Sequence, residues 1–211
     1  MRVLTFGDSI TQGYWGVEGG WVDKLRKHYD ELQVQDFAID QPTIFNLGIS
    51  ADTSRNVLAR ARAETQARTR PNTSPIVIVQ IGVNDSCTEP SGNMVPIEEY
   101  KANLEKITEM LQSISSKLIF VGLSACDEAK TTPVSWGDFH YTNKSIKAYE
   151  DQMKAVAEAA GLSFVPVFDE FAKAMQAKEL LADGLHPNNE GHDVIFNIVR
   201  PRLLALIEGA E

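Results

Sequence analysis

Short, nearly continuous apolar runs alternate along the chain with longer segments in which apolar residues recur every three or four positions. The first pattern is typical of strands buried on both faces of a parallel sheet, and the second of helices that cover such a sheet. The run Ile76–Ile81 is the clearest strand, because it is almost wholly apolar and rich in β-branched residues. The predicted strands are Val3–Phe6, Thr43–Leu47, Ile76–Ile81, Leu118–Val121 and Ser163–Pro166.

Amphipathic stripes predict the helices between these strands. The stripes run over Trp21–Leu32, Ile97–Ile114 and Ile146–Val156. A last helix is predicted from about Asn189 to Leu206, with Pro201 expected to kink it. Residues 86–96 and 124–140 are predicted to be long loops. This alternation predicts one α/β domain over residues 1–211, built on a parallel sheet with crossover helices.

The negative net charge of the chain argues against polyanionic partners. The chain has 20 basic and 29 acidic residues and a formal net charge of −9, and its arginines in 55–70 are spread over a predicted solvated helix face. Nucleic acids and anionic membranes attract basic patches, so neither is an expected partner. No run approaches the roughly 18 apolar residues of a membrane span, and the apolar start of the chain is too short for a secretory signal, so the default expectation is a cytoplasmic location. The oligomeric state is left open.

The chain has two cysteines, Cys87 and Cys126. Their spacing fits neither a disulfide scaffold nor a zinc finger, so two free thiols are expected. Each cysteine follows a predicted strand, and the two strands are candidates for neighbours in the sheet. A single bridge between the two cysteines therefore stays open.

A candidate nucleophile follows the first strand, in Gly7-Asp8-Ser9-Ile10. A serine on a tight strand-to-helix turn presents its hydroxyl above the sheet edge, beside backbone N–H groups that the start of a helix leaves free. In isolation, the same serine is equally typical of a helix N-cap. The full nucleophile elbow G-x-S-x-G is absent, because Thr11 occupies its last position.

The partners that a serine nucleophile needs stand near the carboxyl end, in Asp183-Gly184-Leu185-His186-Pro187. Within a turn, a spacing of three brings a carboxylate against the imidazole Nδ1–H and leaves Nε2 to accept the serine proton. The imidazole must be neutral to act as such a base. The alternative is a capped turn with a surface histidine.

Donors for a developing oxyanion are expected at two further strand ends. Gly48 closes the second strand and allows close approach to its backbone N–H, and Asn84 follows the third strand with a side-chain amide. With the Ser9 N–H they would form a three-donor oxyanion hole. An ordinary turn glycine and an ordinary Asn-Asp turn are the alternatives. The carboxyl ends of parallel strands lie along one sheet edge, so one fold would gather all these groups.

Taken together, the four motifs around Ser9, Gly48, Asn84 and His186 resemble the sequence blocks of the SGNH hydrolases, also called GDSL-type esterases and lipases. They occur in the family's order, with Ile10 where the family name has Leu. The resemblance implies a flavodoxin-like three-layer α/β/α sandwich with a five-stranded parallel sheet in the order 2-1-3-4-5. It implies a serine esterase with Ser9, His186 and Asp183 as its triad, an acyl-enzyme intermediate, and neither metal nor organic cofactor.

The substrate is expected to be a small-molecule carboxylic ester with a small or medium acyl group. Thioesters, lysophospholipids and acetylated carbohydrates are alternatives at the same site. Trp15, Trp136 and Phe139 are candidates to line the substrate pocket, with Asp8 as a further candidate contact. The glycine-rich segment Thr11–Gly20 is expected to act as a flap over Ser9.

Two readings of a different class compete with the esterase. One is metal-dependent hydrolysis by Asp85, Asp183, His186 and His192, whose spacing fits no known ligand motif. The other is a non-catalytic flavodoxin-like binding module whose Ser9 turn holds a phosphate, although that turn lacks the glycines and lysine of a P-loop.

Overall fold

A five-stranded parallel sheet forms the centre of the computed structural model, in which residues 1–115 and 117–208 are described. In chain order its strands are β1 (Arg2–Gly7), β2 (Thr43–Gly48), β3 (Ile76–Gln80), β6 (Lys117–Val121) and β7 (Ser163–Val165). A separate two-stranded antiparallel hairpin consists of β4 (Thr88–Glu89) and β5 (Gly92–Asn93). The sheet order is β2-β1-β3-β6-β7, which is the expected order 2-1-3-4-5 once the hairpin is left out of the count.

Helices cover both faces of this sheet. They are α1 (Ser9–Gln12), α2 (Trp21–Gln35), α3 (Ser54–Arg68), α4 (Ile97–Gln112), α5 (Glu128–Thr131), α6 (Asn143–Ala159), α7 (Phe168–Met175) and α8 (Asn189–Glu208, with Pro201 inside it). Helices α3, α4 and α6 pack side by side, and α2 packs against α8. The predicted three-layer α/β/α class is confirmed. Among the described residues, no helix combines the length and the apolar character needed to cross a lipid bilayer.

The sequence pattern predicted the long elements well and the short ones poorly. All five predicted strands occur, with ends within a residue of the predicted ones. The two predicted long loops are partly structured, because one contains the β4–β5 hairpin and the other contains α5. Two-residue strands and four-residue helices are too short to produce a recognisable hydrophobic period.

The register of the central strands decides where the chemistry-bearing residues lie. Every residue of β3 is buried, as expected for the middle strand of the sheet. Gly7 is paired with Gly48 on one side and with Gln80 on the other, so β1, β2 and β3 end at the same level. The segments that follow these three strands therefore meet at one edge, where open α/β sheets bind their ligands.

The two cysteines are free thiols in the structure, and both are buried. Burial raises the pKa of both thiols, that of Cys126 to about 11. The Cys126 Sγ lies 3.4 Å from the backbone oxygen of Tyr141. The bridge that the sequence left open is not formed in this structure.

Candidate active site

Ser9 is the first residue of α1 and follows directly on β1. The helix is capped by Asp8, whose Oδ1 accepts the Ile10 N–H at 2.9 Å. The N-cap that the sequence left as an alternative for Ser9 is therefore Asp8. The Ser9 N–H belongs to the first turn, whose N–H groups have no acceptor within the helix.

Asp8 lies beneath this turn and is only 2% exposed. Burial raises the pKa of its carboxyl to about 7, although the hydrogen bond from Ile10 and the charge of His186 act in the opposite direction. The sequence suggested Asp8 as a substrate contact. In the structure its carboxyl is buried and caps α1, so it stabilises the helix and is not exposed to a substrate.

The Asp183–His186 segment forms a tight turn around its own carboxylate. Asp183 Oδ1 accepts the backbone N–H groups of Leu185 at 3.0 Å and His186 at 2.8 Å. Gly184 has a φ of +96°, a left-handed conformation that glycine adopts without steric cost. The turn therefore holds the carboxylate and the imidazole on the same side.

Two contacts connect the imidazole to groups from opposite ends of the chain. His186 Nδ1 lies 2.7 Å from Asp183 Oδ2, and His186 Nε2 lies 3.0 Å from Ser9 Oγ. Burial disfavours the Asp183 carboxylate, but hydrogen bonds from the side chain and backbone of His186 and from Leu185 outweigh it. Together they hold the pKa of Asp183 well below its usual range. With its proton on Nδ1, the imidazole has Nε2 available to accept the Ser9 hydroxyl proton.

Asn84 follows β3 and is held from both ends of its side chain. Its Nδ2 donates to the backbone oxygen of Asp52 at 2.9 Å, and its Oδ1 accepts the Tyr141 hydroxyl at 3.2 Å. These two bonds fix the orientation of the amide and leave its second N–H for another acceptor. Tyr141 is buried and was not anticipated, because nothing in the sequence places it beside Asn84.

The structure corrects the expected role of Gly48. Its N–H donates to Asn46 Oδ1 at 3.0 Å, so it already has an acceptor within its own strand. A Cβ at this position would lie 2.3 Å from Gln12 N and 2.8 Å from Asp8 O. The missing side chain therefore allows β2 to pack tightly against Asp8 and α1.

An oxyanion needs a donor that is not already bound, and the segment that follows β2 offers one at Ala51. Ala51 has a φ of +66°, in the left-handed region that alanine rarely adopts. Within the described residues its N–H donates to no acceptor, and the neighbouring Asp52 carbonyl is the one that holds Asn84. The sequence gives no signal for Ala51, because only glycine would have indicated a positive φ.

Arg60 joins the ends of the two strands behind this site. Its guanidinium donates to the backbone oxygens of Leu47 at 2.7 Å and Gly7 at 3.3 Å, and to Asp52 Oδ2 at 2.8 Å. Burial raises the pKa of Asp52, and the hydrogen bond from Arg60 opposes this increase. The prediction of a solvated arginine face fails for Arg60, whose side chain is only 16% exposed.

Aromatic side chains stand around His186. The ring centroids of Tyr14 and Trp136 lie 5.3 Å and 6.0 Å from the imidazole centroid. Trp15 is about half exposed and donates its indole N–H to Asp183 Oδ2 at 2.8 Å. Phe139 is only partly exposed and packs against the hydrophobic core. Of the three aromatic residues predicted to line a substrate pocket, Trp136 thus lies beside the imidazole and Trp15 beside the Asp183 carboxylate.

The residues of the metal-site hypothesis are occupied by separate contacts. Asp85 accepts the Ser54 N–H with both carboxylate oxygens, at 3.0 and 3.1 Å, and burial raises its pKa to about 6. His192 is buried, and its Nε2 lies 3.2 Å from the Tyr14 carbonyl oxygen. Over residues 1–115 and 117–208, no group of three or more His, Cys, Asp or Glu side chains could hold a metal ion.

Comparison with known proteins adds an independent line of information. The model of the GDSL-like Lipase/Acylhydrolase family matches residues 5–194. A GDSL esterase/lipase of Arabidopsis thaliana is 29% identical over 100% of this chain and 80% of its own length. An isoamyl acetate-hydrolyzing esterase of Schizosaccharomyces pombe is 29% identical over 93% of this chain and 72% of its own length.

Solved structures share the fold. An alpha/beta hydrolase enzyme from the metagenome of Lake Arreo superposes with a TM-score of 0.71 at 23% identity, covering 94% of this chain and 92% of its own. An acetylxylan esterase from Geobacillus stearothermophilus gives a TM-score of 0.71 at 21% identity, covering 94% and 91%. At these identities the likeness concerns the fold alone.

Proposed function

The chain belongs to the GDSL-like lipase/acylhydrolase family, and we propose that it hydrolyses carboxylic esters with Ser9, His186 and Asp183 as its catalytic triad. The observation that carries this proposal is a pair of contacts on the imidazole of His186. Its Nδ1 lies 2.7 Å from the Asp183 carboxylate, and its Nε2 lies 3.0 Å from the Ser9 hydroxyl. Both distances are within hydrogen-bond reach, which is the geometric requirement for a general base and the group that orients it.

In the first step, Ser9 Oγ attacks the ester carbonyl carbon and His186 Nε2 takes the hydroxyl proton. Asp183 keeps the other proton of the ring on Nδ1 and stabilises the imidazolium that forms. The low pKa of Asp183 supports this role, because the carboxylate stays ionised throughout the cycle.

Negative charge then develops on the former carbonyl oxygen. We assign its stabilisation to the Ser9 N–H, the Ala51 N–H and the Asn84 amide. Gly48 is replaced by Ala51 in this assignment because the Gly48 N–H is bound to Asn46. Removing one donor of such a set typically costs about 10²–10³ in rate.

Collapse of the tetrahedral intermediate breaks the bond to the leaving alcohol, which receives its proton from His186. Ser9 now carries the acyl group as an ester. A water molecule attacks this ester while His186 takes a proton from it, and the acid leaves as Ser9 Oγ recovers that proton. Each proton that the imidazole accepts is thus returned within the same half-reaction.

The substrate is proposed to be an ester with a small or medium acyl group, in line with the acetate ester in the name of the fission-yeast relative. Acetylated carbohydrates are a second candidate. That candidate is favoured by two half-exposed rings, Trp136 beside His186 and Trp15 beside Asp183, since aromatic faces pack well on sugar rings.

The test is hydrolysis of p-nitrophenyl esters from acetate to palmitate by the wild type and Ser9→Ala. The variant should lose turnover at every chain length and should not be labelled by a fluorophosphonate probe. Ser91→Ala is the matched control, because Ser91 is exposed on the β4–β5 turn. Wild-type turnover by Ser9→Ala would refute the proposal. A maximum at acetate or butyrate supports the short-acyl assignment, and a maximum at long chains contradicts it.

A further inference from the structure

The triad carboxylate receives a hydrogen bond from a residue far away in the sequence. Trp15 Nε1 lies 2.8 Å from Asp183 Oδ2, the same oxygen that lies 2.7 Å from His186 Nδ1. Building on the proposed function, we propose that Trp15 is a positioning residue that fixes the rotation of the Asp183 carboxylate and thereby the orientation of the imidazole.

The other donors to this carboxylate belong to its own turn, so they cannot fix its orientation relative to the rest of the protein. The Leu185 N–H, the His186 N–H and the His186 ring all lie within three residues of Asp183, on the same turn. These contacts set the internal geometry of the turn but move with it as a unit. Within the described part of the chain, Trp15 is the one donor to Asp183 that comes from a different segment.

The segment that carries Trp15 is tied directly to the nucleophile. The Tyr14 N–H donates to the Ser9 carbonyl oxygen at 2.9 Å. A closed circuit therefore runs from Ser9 through the Tyr14–Trp15 peptide to Asp183, on to His186, and back to Ser9 Oγ. This circuit fixes the position of Ser9 relative to the Asp183 carboxylate. The contacts of Ser9, His186 and Asp183 with one another do not do this alone.

The backbone at Trp15 is held in an unfavourable conformation. Its φ is +62°, an outlier for a bulky side chain, and such outliers persist only where the surroundings impose them. The surroundings here are two hydrogen bonds to residues in the first turn of α8. His192 Nε2 donates to the Tyr14 carbonyl oxygen at 3.2 Å, and Asn189 Oδ1 accepts the Glu18 N–H at 3.1 Å.

These two hydrogen bonds also specify what the glycine-rich segment does. The sequence suggested a flap over Ser9, whereas in the structure Tyr14 and Glu18 are bound to α8. Burial lowers the pKa of His192. The Tyr14 carbonyl oxygen can only accept, so Nε2 carries the proton in this contact. The segment serves as a strap that holds the indole N–H against the triad.

The primary test is Trp15→Phe, which removes the N–H donor and keeps an aromatic ring. With p-nitrophenyl acetate, kcat should fall roughly tenfold while KM changes by less than about twofold, because the lost bond orients the catalytic base and does not bind the ester. Val17→Ala is the matched control, since Val17 lies in the same strap and its side chain is 92% exposed. The control should retain the wild-type kcat.

A double-mutant cycle distinguishes positioning from substrate binding. Trp15→Phe is made in the wild type and in Asp183→Ala, and the rate of labelling by a fluorophosphonate is measured for all four proteins. The labelling rate should fall roughly tenfold in the first background and stay unchanged in the second. An equal loss in both backgrounds, a loss confined to KM, or a wild-type rate in Trp15→Phe would each overturn the inference. Retained activity of Ser9→Ala would instead overturn the proposed function, so the two failures are distinguishable.

Discussion

The buried carboxyl of Asp8 should make the stability of this protein fall as pH rises. In an unfolded chain this carboxyl ionises near the ordinary value of 3.8, whereas burial raises its folded pKa to about 7. Between these two values unfolding releases a proton, so increasing pH favours the unfolded state. Above the folded pKa both states are ionised, and below the unfolded value neither is. Asp8→Asn replaces the ionisable carboxyl group with an amide that does not titrate, and it keeps a side chain that can cap α1.

The size of the effect follows from the width of this window. One pH unit of difference between folded and unfolded pKa corresponds to about 1.36 kcal/mol. The interval from 3.8 to about 7 therefore sets an upper bound of roughly 4 kcal/mol between pH 4 and pH 8. Asp85, whose folded pKa is about 6, adds a slope in the same direction that the Asp8 variant retains.

The assay is urea unfolding of the wild type and Asp8→Asn at one-unit intervals from pH 4 to pH 8. The free energy of unfolding of the variant, relative to the wild type, should increase by roughly 2–4 kcal/mol across this range. Asp36→Asn is the matched control, because the exposed Asp36 also accepts a backbone N–H two residues ahead at 2.9 Å. Its profile should parallel that of the wild type. Parallel profiles for Asp8→Asn would refute the reasoning.

Three further substitutions test other parts of the site. Ala51→Gly should raise the free energy of unfolding by up to about 1 kcal/mol in urea titrations, with kcat retained, because glycine relieves the positive φ and keeps the N–H; a loss of stability would contradict the strain. Tyr141→Phe should lower kcat about 3- to 10-fold without changing KM, and should have no effect in an Asn84→Ala background; additive losses would exclude its role in orienting the amide. Arg60→Leu should lower the free energy of unfolding by about 3 kcal/mol, because it leaves the Asp52 carboxylate without its buried partner; a change below about 1 kcal/mol would refute that pairing.

The sequence predicted those features that depend on long periodic patterns and on residue chemistry. The strands, the long helices and the meeting of Ser9 with the Asp183–His186 turn at one sheet edge belong to this group. Gly48 shows where such reasoning stops. A small residue at a strand end indicates close approach, but only the fold reveals that α1, and not a ligand, approaches it.

Ala51 and Trp15 could not have been assigned from the sequence for a different reason. Both have backbone conformations with positive φ that their residue types disfavour, so local propensity predicts the opposite. The Trp15 contact also depends on a side chain 168 positions away. Contacts of this kind are set by tertiary structure, which overrides local preference most often at functional sites.

The distribution of the three tryptophans provides two optical reporters within one chain. Trp21 is fully buried, whereas Trp15 and Trp136 are about half exposed and lie beside Asp183 and His186, respectively. Indole emission shifts to longer wavelength in polar surroundings, so the blue part of the spectrum monitors the interior and the red part monitors the surroundings of Asp183 and His186. Local rearrangement around these two residues and cooperative loss of the whole fold can thus be followed separately, without attaching a dye.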